Sequence, residues 1–276
     1  MVSPLYLKLW RDIGRHRAQF IAITLTMFLG VTIFGATYDS FRNLEASYSS
    51  TATEYRFANL TVHGGDVNGV AQEAANITAV DAVEVRTVAD IPLQVGDVKL
   101  LGRIVSVPAG GQPAVNELKV TSGSYLDPAV PDGVLVEQHM ADHFHLTPGD
   151  TLQVLSGSSW TQVTVQGVVS SPEYIWPARN RQEIITTPDN FGVIFPSNAL
   201  AATLAPSPQN EAVFYYTGGD PNPQATTQLT AKAHQLGATD IYTRAEQPSN
   251  AGLSEDLKGF QEMAMFFPMM FLLAAG

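Results

Sequence analysis

The chain has no cysteine. That removes disulfides, zinc–thiolate sites and cysteine nucleophiles, while an oxidising compartment stays open. It also has no phosphate-binding Gly-x4-Gly-Lys-Ser/Thr run, so any nucleotide chemistry resides on another chain or beyond residue 276. No Gly-x-Ser-x-Gly elbow accompanies Ser156, Ser158, Ser170 or Ser171, which leaves those serines as turn residues. Basic groups are scarce after the start. Lys8, Arg11, Arg15 and Arg17 stand in the first 17 positions against the single acid Asp12, leaving 11 basic and 25 acidic groups for the other 259 residues. So acidic a remainder repels phosphates rather than releasing their counterions, and nucleic acid is not a partner.

The most telling absence is of charge between Ala18 and Tyr38, a run of 21 positions directly after the basic cluster. At 1.5 Å per residue a helix over this run is roughly 31 Å long, the thickness of a hydrocarbon core. Phe20, Ile21, Ile23, Leu25, Phe28, Leu29, Val31, Ile33 and Phe34 together favour insertion by roughly 3 to 5 kcal/mol. Thr24, Thr26 and Thr32 are tolerated because their hydroxyls bond back to helix carbonyls. A cleaved signal peptide competes for the same basic-then-apolar pattern. Its apolar core is usually about 7 to 15 residues, and cutting after Ala36 would put bulky Phe34 at the third upstream position, so an uncleaved anchor is expected. The basic flank keeps residues 1–17 cytoplasmic, which places the main domain outside the cell membrane.

A second apolar stretch, Met263 to Gly276, has 14 residues without charge. It reads as the start of a second span, with a buried terminal helix as the competitor. Before the first span, Leu5, Leu9 and Ile13 with Tyr6 and Trp10 share one helical face, and Lys8, Arg11 and Arg15 another. That pattern describes a segment lying on membrane lipid at the inner surface. After the span, Phe41, Leu44, Tyr48 and Tyr55 continue a helical period, predicting a stalk to about Glu54. Ser254 is expected to cap a matching helix carrying Leu253, Leu257, Phe260, Ala264 and Phe267. Phe41, Leu44, Tyr48, Leu257 and Phe260 are the residues expected to pack the two stalks as an antiparallel pair.

Between the stalks, residues 39–262, the class is α+β. Asn59–His63 and Val83–Thr87 read as strands around a helix capped by Asp66. Glu211–Thr217 and Asp240–Thr243 read as strands around a helix begun by Asn222–Pro223 and stopped by Gly237. Two such units at opposite ends of the domain imply one layer split along the chain. The middle, about 90–210, is read as an inserted β-rich subdomain. In it a hairpin turns at Gly96–Asp97, Gly133–Glu137 leads into a short helix, and two strands flank Ser156–Gly157–Ser158.

Glu137, His139, Asp142, His143 and His145 are the densest set of metal-ligand residue types, with His139 and His143 four apart. No third ligand is placed by that spacing and no glutamate follows the first histidine, so a polar helix face is expected and no metal, cofactor or catalytic residue is assigned. The segment Pro172–Pro188 is the most unusual surface stretch. Tyr174, Trp176, Arg179 and Arg181 are the expected partner or ligand contacts there, since rigid aromatics and arginines make such surfaces. A packed loop whose arginines pair with Glu173 and Glu183 is the alternative.

The basic start LKLWRDIGRHRAQF, the span, the stalk, the large outer domain and the second apolar stretch together resemble the FtsX-like/MacB-like permease family, membrane subunits of type VII ABC transporters. LTPGDTLQV…TVQGVVSS is similar to the β-rich part of that family's periplasmic core domain, and EYIWPARNRQEIITTPDNFGVIF to a segment of its large permeases. The resemblance implies a non-enzymatic subunit with ATP on a separate cytoplasmic ABC ATPase. It further implies a permease dimer or second permease half, an extracytoplasmic substrate or protein partner, and a role in export, lipid or lipoprotein handling, or mechanotransmission. The sensor portion of a membrane signalling protein fits the same layout.

Overall fold

The computed structural model describes the chain except for residues 1–3, 181–186, 188, 206–208 and 276. It divides into two compact units, residues 1–48 with 254–276, and residues 49–253.

The first unit is helical. α1 (Pro4–Arg15) is followed by a bend at His16 and then by α2 (Arg17–Glu54), a single helix of 38 residues. α2 is the one helix among the described residues long and apolar enough to cross a membrane. Its apolar side chains stay uncovered by protein: Ile21, Leu25, Phe28 and Val31 are each more than half exposed. Thr26 and Thr32 donate to the carbonyls four residues back at 2.8 Å, which satisfies those two hydroxyls within the apolar run. The helix runs on past Tyr38 to Glu54, as the aromatic period predicts.

The second unit holds the remaining elements. In chain order they are β1 (Leu60–His63), α3 (Val67–Ala74), β2 (Val80–Arg86), β3 (Val88–Val95), β4 (Val98–Val105), β5 (Lys119–Gly123), β6 (Gly133–Glu137) and α4 (Gln138–Phe144). β7 (Thr151–Ser156), β8 (Ser159–Ser170), β9 (Phe191–Pro196), α5 (Asn198–Leu204), β10 (Glu211–Tyr216), α6 (Pro223–Gln235) and β11 (Asp240–Thr243) follow, before α7 (Pro248–Ala275).

The split layer is present. A four-stranded antiparallel sheet runs in the order β11-β1-β10-β2, two strands from each end of the domain. Alternation along β1 and β10 sends Leu60, Val62, Ala212, Phe214 and Tyr216 to one face. There they form a core with Val67, Val70 and Ala74 of α3 and Ala225, Leu229 and Ala233 of α6. Asp66 caps α3 by accepting from Gly69 N–H at 2.9 Å, and Asn222 caps α6 through Ala225 N–H at 3.0 Å.

The inserted subdomain occupies residues 88–204. Its strands run β5-β8-β6-β9-β4-β3-β7, and the long β8 pairs again with β7, so six strands close on themselves with β5 attached outside. Closure leaves a lumen filled by Ile91, Leu93, Leu100, Ile104, Val134, Val136, Leu152, Val154, Val163 and Ile194. Gly102 lets this ring close, since a Cβ there would sit 2.2 Å from Leu93 Cγ. The expected hairpin joins β3 and β4 across Gly96–Asp97, with Gly96 at φ +56°.

Two elements begin three or more residues before the sequence reading placed them. α7 begins at Pro248 rather than after a cap at Ser254, because proline at the first helical position gives up no hydrogen bond there. β2 starts at Val80, three residues before the expected Val83, once Tyr216 supplies it a partner across a register shift.

Candidate functional site

The face of the four-stranded sheet turned away from its helices carries one row of charge. The register aligns Asp240 with His63, His63 with Glu211, and Glu211 with Arg86, one residue from each of β11, β1, β10 and β2. Signs alternate along this row when His63 is protonated. Arg86 and Glu211 are each about 5% exposed, and so is Glu173, which reaches in from the turn Pro172–Tyr174. Arg86 answers both carboxylates: Nη1 and Nη2 donate to the two Glu173 oxygens at 2.7 and 2.6 Å, and Nε and Nη2 donate to Glu211 Oε1 at 2.8 and 2.6 Å. Glu211 Oε2 stands 3.8 Å from His63 Nδ1. Burial alone would raise the Glu211 carboxyl, but the Arg86 charge and hydrogen bonds, with His63 close by, override it and bring it down to about 2. Burial also opposes the charge on Arg86, yet its two carboxylates hold it protonated well above the ordinary range.

A cleft of about 300 Å³ opens beside this row, lined by His63, Arg103, Arg179, Glu211, Asp240 and Tyr242 among others. Arg103 grips Asp90 with two hydrogen bonds, Nε to Oδ1 at 2.7 Å and Nη2 to Oδ2 at 3.0 Å, and its Nη1 donates to the Arg179 carbonyl. Burial raises Tyr242 well above the usual phenol range, with Glu211 and Glu173 adding to it, so it remains a neutral phenol.

Of the contact set expected at Pro172–Pro188, Tyr174 needs correction. Tyr174 is buried, 5% exposed, with its ring edge-on to Phe195 at 6.3 Å between centroids. The prolines around it tuck the ring into the barrel's outer core, so it offers no surface to a partner. Trp176 does reach solvent at 39% exposure, and its backbone N–H donates to Ser249 Oγ at 2.8 Å. Arg179 lines the cleft with Nε 3.5 Å from Asp90 Oδ2. Arg181 lies outside the described residues, as does Glu183. The other acid expected to pair with the loop's arginines, Glu173, pairs with Arg86 instead. Nothing in the sequence signalled Arg86, which sits 87 residues away along the chain.

The same loop ties down the start of α7. Gln247 Nε2 donates to the Glu173 carbonyl at 2.8 Å, and Gln247, Ser249 and Asn250 are all buried. Three residues earlier, Arg244 spans three pieces of chain. Its guanidinium donates to the carbonyls of Phe57, Ala58 and Gly219 and lies over the Phe57 ring, while its own carbonyl accepts from Asn250 Nδ2 at 2.6 Å. Phe57 and Ala58 are the segment leaving α2, and Asn250 is in the first turn of α7. One arginine therefore joins the chain's way into the domain to its way out. Of the expected stalk residues, Phe41, Tyr48 and Leu257 are partly covered, whereas Leu44 and Phe260 are 43% and 51% exposed. The side chains of Ala264 and Phe267 lie outside the described residues.

The histidine cluster on α4 is held by its own cap. Glu137 accepts from the His139 N–H at 2.8 Å and sits 3.0 Å from His139 Nδ1, and His143 packs edge-on against Phe144. Among the described residues no three His, Asp or Glu side chains converge on a common point.

No family model matches the chain. No curated protein matches it. Among solved structures it is similar to the periplasmic region of MacB from Actinobacillus actinomycetemcomitans, with 12% identity, a TM-score of 0.42, and coverage of 72% of this chain and 91% of that one. It is also similar to the extracellular domain of the noncanonic ABC-type transporter YknZ from Gram-positive bacteria, with 12% identity, a TM-score of 0.41, and coverage of 67% and 98%.

Proposed function

We propose that this chain is part of a permease subunit of the FtsX-like/MacB-like type, in which an extracytoplasmic domain is driven mechanically through the helices that root it. The observation that carries this reading is the run of α2, unbroken from the apolar stretch at Ala18 to Glu54, followed at once by the Arg244 junction. A helix of 38 residues is about 57 Å long, so about 25 Å remains to project outward once a bilayer core is spanned. Such a rod transmits an axial shift directly into the carbonyls that Arg244 holds, and from there to the first turn of α7. Groups tied to several pieces of backbone at once suit force transfer, because they move together or break together.

In this reading the chain performs no chemistry. ATP is bound and hydrolysed by a separate cytoplasmic ATPase, and a dimer or second permease half completes the assembly. The basic residues 1–17 stay inside, the acidic domain sits outside, and α7 continues into a second span at Met263–Gly276. The handled molecule belongs to the class that an outer-face domain can reach, a lipid, lipoprotein or exported compound. Full-length protein purified from its native membranes is expected to bring an ATPase with it. ATP should then change amide protection at 55–59 and 244–253, and Arg244→Ala should abolish that change while leaving the ATPase bound. Absence of any ATPase, together with protection that ATP does not alter, overturns the proposal.

A further inference from the structure

The charged row contains one group that titrates near neutral pH, and the bonds around it reach the base of α7. Arg86, Glu173 and Glu211 are a buried trio of one cation and two anions. A surplus negative charge away from water is costly, and the two carboxylates repel one another across the single guanidinium. The partner in the row able to cancel that surplus is His63, placed by β1 directly opposite Glu211. We propose that His63 is a proton-binding site whose occupancy sets how firmly the Pro172–Asn180 loop, and through it the first turn of α7, is held to the four-stranded sheet.

The groups facing His63 come from every neighbouring element. β10 contributes Glu211, β11 contributes Asp240 and Tyr242, and β2 contributes Arg86 one position further along the row. From the barrel side come Arg103, already committed to Asp90, and from the loop Glu173, Arg179 and Asn180. Carboxylates occupy both immediate cross-strand positions, Glu211 on one side and Asp240 on the other. The Glu211 carboxylate 3.8 Å away pushes the imidazole above its ordinary value, with burial and the Arg103 charge pulling the other way. A proton on His63 therefore draws in Glu211 Oε2 while Oε1 stays on Arg86, and the trio is neutralised. Loss of the proton restores the surplus charge, and the member best able to recede is Glu173, which is carried on a loop rather than on the sheet. Its carbonyl holds Gln247, and three residues on, the Trp176 N–H holds Ser249.

The sign follows from the raised value. The hold is complete below the ordinary histidine range of about 6.5 and weakens as pH rises through the elevated one. This inference goes beyond the permease proposal and stands or falls separately from it, because no ATPase enters the test.

Hydrogen exchange of the full chain in lipid nanodiscs, at pH 5.5 and 8.5 and corrected for intrinsic rates, reads the loop at Tyr174, Trp176 and Ala178 and the helix at Ala251. All four N–H groups are bonded within this junction. Unaltered protein is expected to exchange there roughly two- to fivefold faster at pH 8.5, the span that a partly exposed ion pair supports. His63→Gln should exchange fast at both pH values, and His63→Lys, charged throughout, slowly at both. Equal exchange of the unaltered protein at the two pH values overturns the proposal, as does a Gln variant that keeps the pH dependence. The first comparison needs no substitution, so a variant that fails to fold leaves it decisive.

Discussion

Arg86 has no water to turn to, and neither do the carboxylates it serves. Replacing it with methionine keeps most of the volume but leaves Glu173 and Glu211 facing each other at about 5% exposure. Breaking a buried pair from one side typically costs about 3 to 5 kcal/mol, so Arg86→Met should lower the denaturant midpoint of the full chain markedly. Adding Glu173→Gln and Glu211→Gln should recover much of that loss, because no stranded charge then remains. The Glu211 carboxyl, held down at about 2, contributes stability that is whole above the ordinary carboxylate range. That stability drains away as pH falls from about 4.5 toward 2, and Glu211→Gln should flatten this acid limb of an unfolding titration. None of these three residues stood out in the sequence. Glu173 was visible only as a local acid in a loop, and Arg86 and Glu211 as ends of strands. Their meaning is a matter of register, and register is invisible until strands 125 residues apart have paired.

At the scale of elements, most of the domain was legible, since alternation and punctuation are local. Asp66, Asn222–Pro223 and Gly237 bound two helices in the sequence and do so in the structure. The strands β5 and β9 and the helix α5 were not anticipated. Phe191–Pro196 is buried at every position, so it shows no alternation, and a continuous apolar run does not declare its own period. The closure of the barrel was likewise unforeseeable, because it depends on β8 serving β7 with one half and β6 and β5 with the other. Gly102 tests that closure. Gly102→Val would drive branched carbons into Leu93, and about 1 to 3 kcal/mol or more should be lost, readable as a lower thermal midpoint with barrel amides deprotected first. The junction makes a different claim. Arg244→Ala frees three carbonyls at once, and exchange at 55–59 should rise together with exchange at 244–251 while the barrel stays protected. Independent changes in the two segments would show that Arg244 does not couple them.

For the molecule as a whole, the decisive question is which side of a bilayer the acidic domain faces. The absence of cysteine makes the experiment clean. Ser158 sits exposed in the β7–β8 turn, so Ser158→Cys gives residues 1–276 a single thiol. A membrane-impermeant maleimide should label it on intact cells without permeabilisation, and labelling only after lysis would place the domain inside. Leu29 lies in the middle of the apolar run, and Leu29→Arg adds about 3 kcal/mol to the cost of insertion, enough to move a large share of the protein out of carbonate-resistant membranes. A protein that stayed equally resistant would be held by something other than α2.

What the sequence determined by itself was everything that depends on near neighbours or on bulk composition. The uncharged run and its basic flank give α2 a length and composition fit to span a bilayer, since insertion is a sum over residues that needs no partner. The α+β class and the split layer follow from helical and strand periods read a dozen residues at a time. Tertiary structure alone decided where the charges meet. Asp240, His63, Glu211 and Arg86 become one row only when four strands from both ends of the chain lie side by side. Tyr174 likewise turned inward against an expectation drawn from its neighbours. An electrostatic site is a property of distance in space, and distance in space between remote residues is set by packing.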